Sequence, residues 1–141
     1  MDFDKNRSAG YLVNHVARLF AHGLSERIKP LGLSIGAFPV LLELWEADGL
    51  TQGQLVERLS IKQATMANTL ARMERDGLIV RTKNEEDGRV QHVFLTEAAK
   101  EKRGAAIAAA QTVNALTLSP LSLAEQRQFL ILARRIIEAS R

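Results

Sequence analysis

The sequence predicts a mainly α-helical fold with one small β-hairpin, and two observations carry this prediction. Apolar residues recur at helical spacing through most of the 141 residues. Between residues 78 and 95, two short runs rich in β-branched residues instead flank a polar loop at residues 84–89. Together these patterns indicate a helical chain with a hairpin placed between helices.

The first two predicted helices cover residues 10–29 and 34–47. In the first, apolar residues such as Leu12, Val16 and Leu19 keep a helical spacing, and the Pro-Leu-Gly run at residues 30–32 ends it. The second contains Pro39, which we expect in its first turns because a missing N–H costs least there.

Two shorter helices follow in close succession. The run Thr51-Gln52-Gly53-Gln54 fits a capping box, so a helix begins there and ends near Ser60. Met66, Leu70 and Met73 then recur at i, i+4 and i+7, and Gly77 fits the C-terminal cap of this second helix. The predicted hairpin comes directly after it.

Helices also account for the region after the hairpin. Thr96 restarts a helix that we expect to continue to about Leu116, and Ser122 with Glu125 forms a second capping box that opens a last helix to Ala139. Apolar residues line more than half the circumference of this last helix. A partner subunit is the economical way to cover them, which predicts a homodimer.

Two helices followed by a hairpin are the order of a winged helix-turn-helix, which docks on duplex DNA. Residues 62–83 hold five basic side chains against two acidic ones. Positive charge is therefore concentrated around the second of the two helices, where phosphates would lie. The alternative is an ordinary solvated basic surface.

The polar side of the second helix supplies candidate contacts to bases and phosphates. Arginine can bind guanine and asparagine can bind adenine through two hydrogen bonds, and a helix N-terminus favours a phosphate. The alternative interpretation is that these residues are simply the solvent-exposed face of a surface helix. The candidate DNA contacts on and beside this helix are Lys62, Gln63, Thr65, Asn68, Thr69, Arg72 and Arg75.

The hairpin, or wing, adds three more candidate contacts. Arg89 follows a glycine and can enter a narrow minor groove, whose negative potential attracts a guanidinium. Arg81 and Lys83 are alternate residues of one strand and are predicted to contact phosphates. Asp87 would be repelled by DNA, so we expect it to pair with a nearby arginine and to fix the wing.

Three of these segments in register resemble the MarR family of bacterial transcriptional regulators. They are the run Met73-Glu74-Arg75-Asp76-Gly77-Leu78, the wing segment Asp87-Gly88-Arg89, and Leu95-Thr96-Glu97. Met73 replaces a more usual leucine, a change that nearly conserves volume. The resemblance covers essentially the whole chain. It implies a homodimer of triangular outline in which the first and last helices interlock and two winged modules bind one DNA duplex.

The resemblance also implies a small-molecule effector, since an anionic or phenolic ligand often binds such proteins between the dimer helices and the winged module. Tyr11, His15 and Arg18 form a polar-aromatic stripe on the first helix that could hold a carboxylate, with Trp45 as an apolar wall. The alternative is ordinary dimer-interface or solvent contact. His15 and His22 are too far apart along a helix to share a metal ion directly.

The sequence therefore predicts one MarR-like chain, with the winged helix-turn-helix at residues 33–97 and a helical dimerisation region at residues 1–32 and 98–141. The expected function is a transcriptional regulator, a repressor that binds a pseudo-palindromic operator in double-stranded DNA. The alternative is a winged module used only for protein–protein contact.

Several other classes of function are not expected. The chain has no cysteine, which excludes disulfides, thiolate metal sites and thiol-based redox sensing. No secretory signal or membrane span is recognisable, so a cytoplasmic protein without membrane contact is expected. No enzyme motif, metal site or cofactor is predicted.

Overall fold

The computed structural model describes residues 2–141 and divides them into two compact units. The first unit combines the residues up to Gly23 with those from Ala110 onward, and the second is Leu24–Ala109. The described residues form seven α-helices and three β-strands. In chain order these are α1 (Ala9–Ile28), α2 (Phe38–Glu46), β1 (Leu50–Thr51), α3 (Gln52–Leu59), α4 (Gln63–Arg75), β2 (Ile79–Lys83), β3 (Gln91–Leu95), α5 (Glu97–Glu101), α6 (Arg103–Thr117) and α7 (Leu123–Ala139).

The core of the second unit is built from one face of each helix. On α4 the buried residues are Met66, Leu70 and Met73, as their spacing predicts. Leu55 is the fully buried residue of α3, and α2 contributes Leu41 and Leu44 among others. Because the inward face of α4 is entirely apolar, its polar side chains are left on the outside.

Both ends of the helix-turn-helix segment have the predicted caps. The hydroxyl of Thr51 accepts the backbone N–H of Gln54, and the Gln54 side chain accepts the backbone N–H of Thr51, so the capping box is complete. Helix α4 ends in a Schellman motif, in which Leu78 N–H donates to Met73 and Gly77 N–H to Glu74. Gly77 has φ of 75°, a value that glycine adopts without strain.

The sheet has three strands, whereas the sequence predicted a two-stranded hairpin. The strand order is β1-β3-β2, and both pairings are antiparallel. The missing strand, β1, is only two residues long, and its residue Leu50 pairs with Val93. The predicted hairpin is formed by β2 and β3, but two residues are too few to show an alternating pattern, so β1 was not predicted.

Two helix boundaries also differ from the prediction. Helix α2 begins at Phe38 rather than near residue 34, and Pro39 lies in its first turn. The single helix expected from residue 96 is interrupted at Lys102, between α5 and α6. At this break the carbonyl of Ala99, which a continuous helix would offer to Arg103, instead accepts the indole N–H of Trp45 at 3.1 Å and the N–H of Lys102 at 3.3 Å.

The first unit buries little apolar surface. Among residues 2–23 and 110–141, Val113 is the only buried hydrophobic side chain, and it packs near Gly23 of α1. Helix α7 has the predicted capping box between Ser122 and Glu125 but contains no buried residue. Within residues 2–141, no helix combines the length and apolar composition that spanning a membrane requires.

Candidate nucleic-acid interface

The outer face of α4 presents polar side chains that have no partner among the described residues. Thr65, Asn68 and Arg72 are exposed, and Thr69 is half-buried. The side chains of Asn68 and Arg72 make no hydrogen bond or ion pair with any other residue in the described part of the chain. Their donors and acceptors are therefore available to a ligand without the loss of an internal contact.

The N-terminus of α4 is also accessible from solvent. Lys62 is the N-cap residue, is exposed and makes no side-chain capping hydrogen bond. Gln63 follows it and accepts a hydrogen bond from the side chain of Gln52 on α3 at 3.3 Å. The first N–H groups of a helix have no partner within the helix, so this end can receive a phosphate oxygen.

Two arginines near the end of α4 are already paired with carboxylates. Arg81 on β2 donates to Glu74 through Nη2 at 3.1 Å and Nε at 3.4 Å, and its side chain is 24% exposed. These hydrogen bonds hold the pKa of Glu74 below its ordinary value. Arg75 lies 3.7 Å from Asp76 and stays largely exposed. Arg81 is thus the least accessible of the candidate phosphate contacts on the wing.

The wing arginine is paired but almost fully accessible. Asp87 accepts both the backbone N–H and the Nε–H of Arg89, at 3.0 Å and 3.1 Å. These bonds lower the pKa of Asp87, the side-chain bond being the larger cause. The Arg89 side chain nevertheless remains 92% exposed. Lys83, at the end of β2, is exposed, and its side chain is unpaired within residues 2–141.

An open cleft of about 340 Å³ lies between the start of α3 and the wing. Its wall is polar and apolar in about equal parts and includes the guanidinium of Arg89. The cleft is lined by Thr51, Gln52, Gly53, Gln63, Arg89, Val90 and Gln91. Residues from the first turns of α3 and α4 thus share one cleft with the wing.

The candidate ligand residues are divided between the two units. On α1, Tyr11 and His15 form an edge-to-face pair at 6.5 Å between ring centroids, and Arg18 is exposed. Lys5 lies 5.3 Å from the centre of the Tyr11 ring. Trp45, on α2 of the other unit, is half-buried and packs edge-to-face on Phe38.

Two polar residues that make hydrogen bonds in the wing, Asn84 and His92, were not predicted from the sequence. The side-chain oxygen Oδ1 of Asn84 accepts the backbone N–H groups of Glu86 and Asp87, at 2.8 Å and 3.1 Å. The side-chain nitrogen Nδ2 of Asn84 lies 3.3 Å from Nε2 of His92. The other ring nitrogen of His92, Nδ1, lies 3.0 Å from the backbone carbonyl oxygen of Gly49. An asparagine that opens a polar loop is a known turn signal, so Asn84 could have been found. His92 could not, because its partners are distant in sequence.

The described fold and surface define a winged helix-turn-helix protein of the DNA-binding type. Helix α4, the second helix of the helix-turn-helix, presents an exposed polar face, and the adjoining wing carries the exposed Arg89. The MarR family model matches residues 33–90, and the chain belongs to the MarR family of transcriptional regulators, which are not enzymes.

Three known proteins illustrate the relationship. The transcriptional regulator HosA of Escherichia coli O127:H6 is 32% identical over 123 residues, which cover 87% of this chain and 86% of HosA. The HTH-type transcriptional repressor Mb2911 of Mycobacterium bovis is 28% identical over 120 residues, covering 85% of this chain and 86% of Mb2911. The crystal structure of the Streptomyces coelicolor regulator PcaV with its natural ligand superimposes with a TM-score of 0.84 at 25% identity, covering 100% of this chain and 99% of PcaV.

Proposed function

We propose that the protein is a homodimeric repressor that binds a pseudo-palindromic operator and is released by a small anionic or phenolic ligand. The observation that carries the proposal is the pair Asn68 and Arg72, exposed and without internal partners on α4, beside a wing with the exposed Arg89. The repressor Mb2911, to which the chain is similar, supports the direction of regulation.

On DNA, α4 would lie in the major groove. There Arg72 would donate two hydrogen bonds to guanine, and Asn68 would bind adenine through its amide. The hydroxyls of Thr65 and Thr69 would contact polar base edges, or their methyl groups the methyl of thymine. Contacts to phosphates fix the register of the protein on the duplex but carry no sequence information. The residues proposed for these contacts are Lys62, Gln63, Arg75, Arg81 and Lys83.

The wing would reach the adjacent minor groove. Arg89 is the candidate for this contact, since its guanidinium is exposed although Asp87 holds it. A narrow minor groove concentrates negative potential and attracts a guanidinium, so this contact would respond to the width of the groove. Asp87 would orient Arg89 without touching the DNA itself.

The first unit supplies the support for a dimer. Among the described residues, thirteen of the seventeen exposed large hydrophobic side chains lie at residues 2–23 and 110–141. An apolar surface of this extent on a monomer is unfavourable, and a second copy offers a matching one. Two copies would present two α4 helices, which fits an operator with two related half-sites.

The ligand proposal has two supports. PcaV, which has a similar fold over its whole length, was crystallised with its natural ligand. On α1, Tyr11, His15 and Arg18 place an aromatic hydroxyl, an imidazole and a guanidinium at successive turns of one exposed face. This combination suits a small aromatic carboxylate or phenol.

Selection of bound sequences from random DNA tests the operator proposal. The expected result is a sequence with two inverted half-sites, recovered by the parent protein and lost or relaxed with Arg72→Ala. Recovery of no preferred sequence would contradict the proposal and favour the winged module as a protein–protein contact surface.

With the operator in hand, a panel of aromatic carboxylates and phenols tests release. The Arg18→Ala variant should keep its operator affinity and respond more weakly to an anionic compound. Glu26→Ala, which removes an exposed side chain from the same helix, is the matched control and should respond as the parent does. An equal response of Arg18→Ala and the parent would remove Arg18 from the ligand site.

A further inference from the structure

We propose that Asn84 and His92 position the wing for DNA, and that they do so only while His92 is neutral. Both are positioning residues: they act on Arg89 through Asp87 rather than on DNA. The proposal rests on the proposed function, because it gives the wing a DNA contact. It predicts that protonation of His92 in mild acid weakens operator binding, and that Asn84→Asp removes this effect of acid.

The orientation of the Asn84 amide is determined by the wing itself. Its Oδ1 atom accepts two backbone N–H groups, those of Glu86 at 2.8 Å and Asp87 at 3.1 Å. An amide nitrogen has no lone pair available for these contacts, so the amide cannot be turned round. The Nδ2 atom of Asn84 must therefore point away from the loop, toward His92.

This orientation determines which form of the His92 ring can satisfy both of its contacts. Nε2 of His92 lies 3.3 Å from Nδ2 of Asn84, which can only donate, so Nε2 must accept. Nδ1 lies 3.0 Å from the carbonyl oxygen of Gly49, which can only accept, so Nδ1 must carry the proton. The contacts thus select the neutral ring with its hydrogen on Nδ1.

The same hydrogen bonds lead from the sheet to the candidate DNA contact. His92 joins Asn84 to Gly49, which directly precedes β1. Asn84 holds the backbone of Asp87, and the Asp87 carboxylate holds Arg89 through its backbone N–H and Nε–H. The position of Arg89 therefore depends on a series of hydrogen bonds that begins at the edge of the three-stranded sheet.

The residues directly opposite His92 carry no charge. They are Thr51 on β1 and Thr82 on β2. The charged groups closest in sequence to its partners are Asp48, beside Gly49, and Lys83 and Glu85, on either side of Asn84. Glu86, Asp87 and Arg89 follow in the loop. None of these makes a hydrogen bond or ion pair with the ring within residues 2–141.

Protonation of His92 would place an N–H of the ring against the N–H of the Asn84 amide. Neither group can accept, so this hydrogen bond would be lost and the two groups would repel each other. Turning the Asn84 amide would restore the contact with the ring, but it would remove both hydrogen bonds to the loop. In either case the backbone around Asp87 loses support, and Arg89 is no longer held.

The test measures operator affinity of the full-length protein at about pH 8 and about pH 5.5, across the range in which histidine ordinarily titrates. For the parent we expect affinity to fall about fivefold in acid, as for the loss of one hydrogen bond. Asn84→Asp keeps an oxygen for the loop and offers a second one to a protonated ring, so its loss in acid should disappear or reverse. For each variant, the affinity at pH 8 is divided by the affinity at pH 5.5, and only this ratio is compared with that of the parent. The absolute affinities are not compared, because the new negative charge weakens DNA binding at both pH values.

Two further variants separate His92 from other groups. His92→Asn keeps an N–H for Gly49 but cannot titrate or reach Asn84, and it should bind more weakly than the parent with no loss between pH 8 and 5.5. His22→Gln removes an exposed histidine of α1 and should retain the pH response of the parent. A pH response that is equal in the parent, Asn84→Asp and His92→Asn would overturn the proposal.

A measurement without DNA keeps this proposal distinct from the proposed function. Nitrogen-15 spectra of the histidine rings should show His92 with its hydrogen on Nδ1 at pH 8, and the amide signals of Glu86 and Asp87 should move as the ring titrates. A ring with its hydrogen on Nε2 would overturn the proposal whatever the DNA result. The expected spectra together with no operator binding at any pH would instead contradict the proposed function.

Discussion

Glu74 and Arg81 join the end of α4 to the first strand of the wing through two hydrogen bonds. Oε1 of Glu74 lies 3.1 Å from Nη2 of Arg81, and Oε2 lies 3.4 Å from Nε. The planar guanidinium matches the carboxylate at two points, so the pair restrains direction as well as distance. Arg81 thus connects the helix proposed to read DNA with the strand that leads to Arg89.

This pair makes a pH-dependent contribution to stability. Because Arg81 lowers the pKa of Glu74 in the folded protein, the contribution is complete above the ordinary glutamate value of about 4.3 and is lost as pH falls through the lower folded value. Glu74→Gln should therefore lower the urea midpoint at pH 7, and its difference from the parent should shrink toward pH 3. In an Arg81→Met background the same substitution should have little effect at either pH; an undiminished effect would assign the stabilisation to another partner.

Arg72 and Lys83 should differ in kind when each is replaced by alanine. Arg72 lies on the exposed face of α4, and its loss should cost about 1–3 kcal/mol per half-site and relax the preference at one base position. Lys83 is predicted to contact a phosphate, so Lys83→Ala should weaken specific and scrambled duplexes alike and reduce the salt dependence by about one unit per subunit. Binding to both duplexes across a salt series is the measurement. An equal loss on both duplexes for Arg72→Ala would make α4 a phosphate-contacting helix.

Gly49 should not tolerate a side chain. Its φ is 81°, and an added Cβ would lie 2.7 Å from Cε1 of the Phe94 ring. Gly49→Ala should destabilise the protein by about 1–3 kcal/mol, and Phe94→Leu in the same chain should restore only the part due to the clash, since the backbone strain remains. Gly53→Ala is the control. A Cβ added at Gly53 would lie 3.9 Å from the hydroxyl oxygen of Thr51, which is an ordinary contact, and alanine is preferred to glycine in a helix. Equal thermal midpoints for the two alanine variants would contradict this account.

Assembly should depend on the exposed apolar residues of α7. Ile136 is 73% exposed in the single chain, so its replacement by glutamate would cost little in an isolated monomer but much at an apolar interface. Ile136→Glu should therefore shift the protein from dimer to monomer or aggregate in sedimentation at micromolar concentration. Gln128→Glu adds the same charge at an exposed polar position of α7 and should stay dimeric. A parent protein that sediments as a stable monomer would disprove the dimer.

Local patterns accounted for most of the helical framework. The capping boxes at Thr51 and Ser122 and the glycine after α4 were all predicted, because each involves residues within five positions of one another. The buried positions Met66, Leu70 and Met73 followed from helical spacing alone. Such features need no knowledge of the rest of the chain.

Features that join distant segments were missed or placed wrongly. Strand β1 exists because its two residues pair with β3, and the break before α6 coincides with a Trp45 side chain that bonds to Ala99, 54 positions away. Asp48 likewise accepts the N–H of Leu95, 47 positions away, at 2.8 Å. None of these partners lies within the range of a helical or strand period.

The candidate DNA surface shows the same division. The sequence by itself determined that α4 has an apolar and a polar face and that arginines flank the wing, since residue type and helical spacing suffice for this. Only the tertiary structure decided that Arg81 is held by Glu74, that the Arg72 side chain has no partner within residues 2–141, and that His92 lies against Asn84. The physical reason is that a hydrogen bond forms only within about 3 Å and in a suitable direction. That geometry arises when packing brings separate strands and helices together.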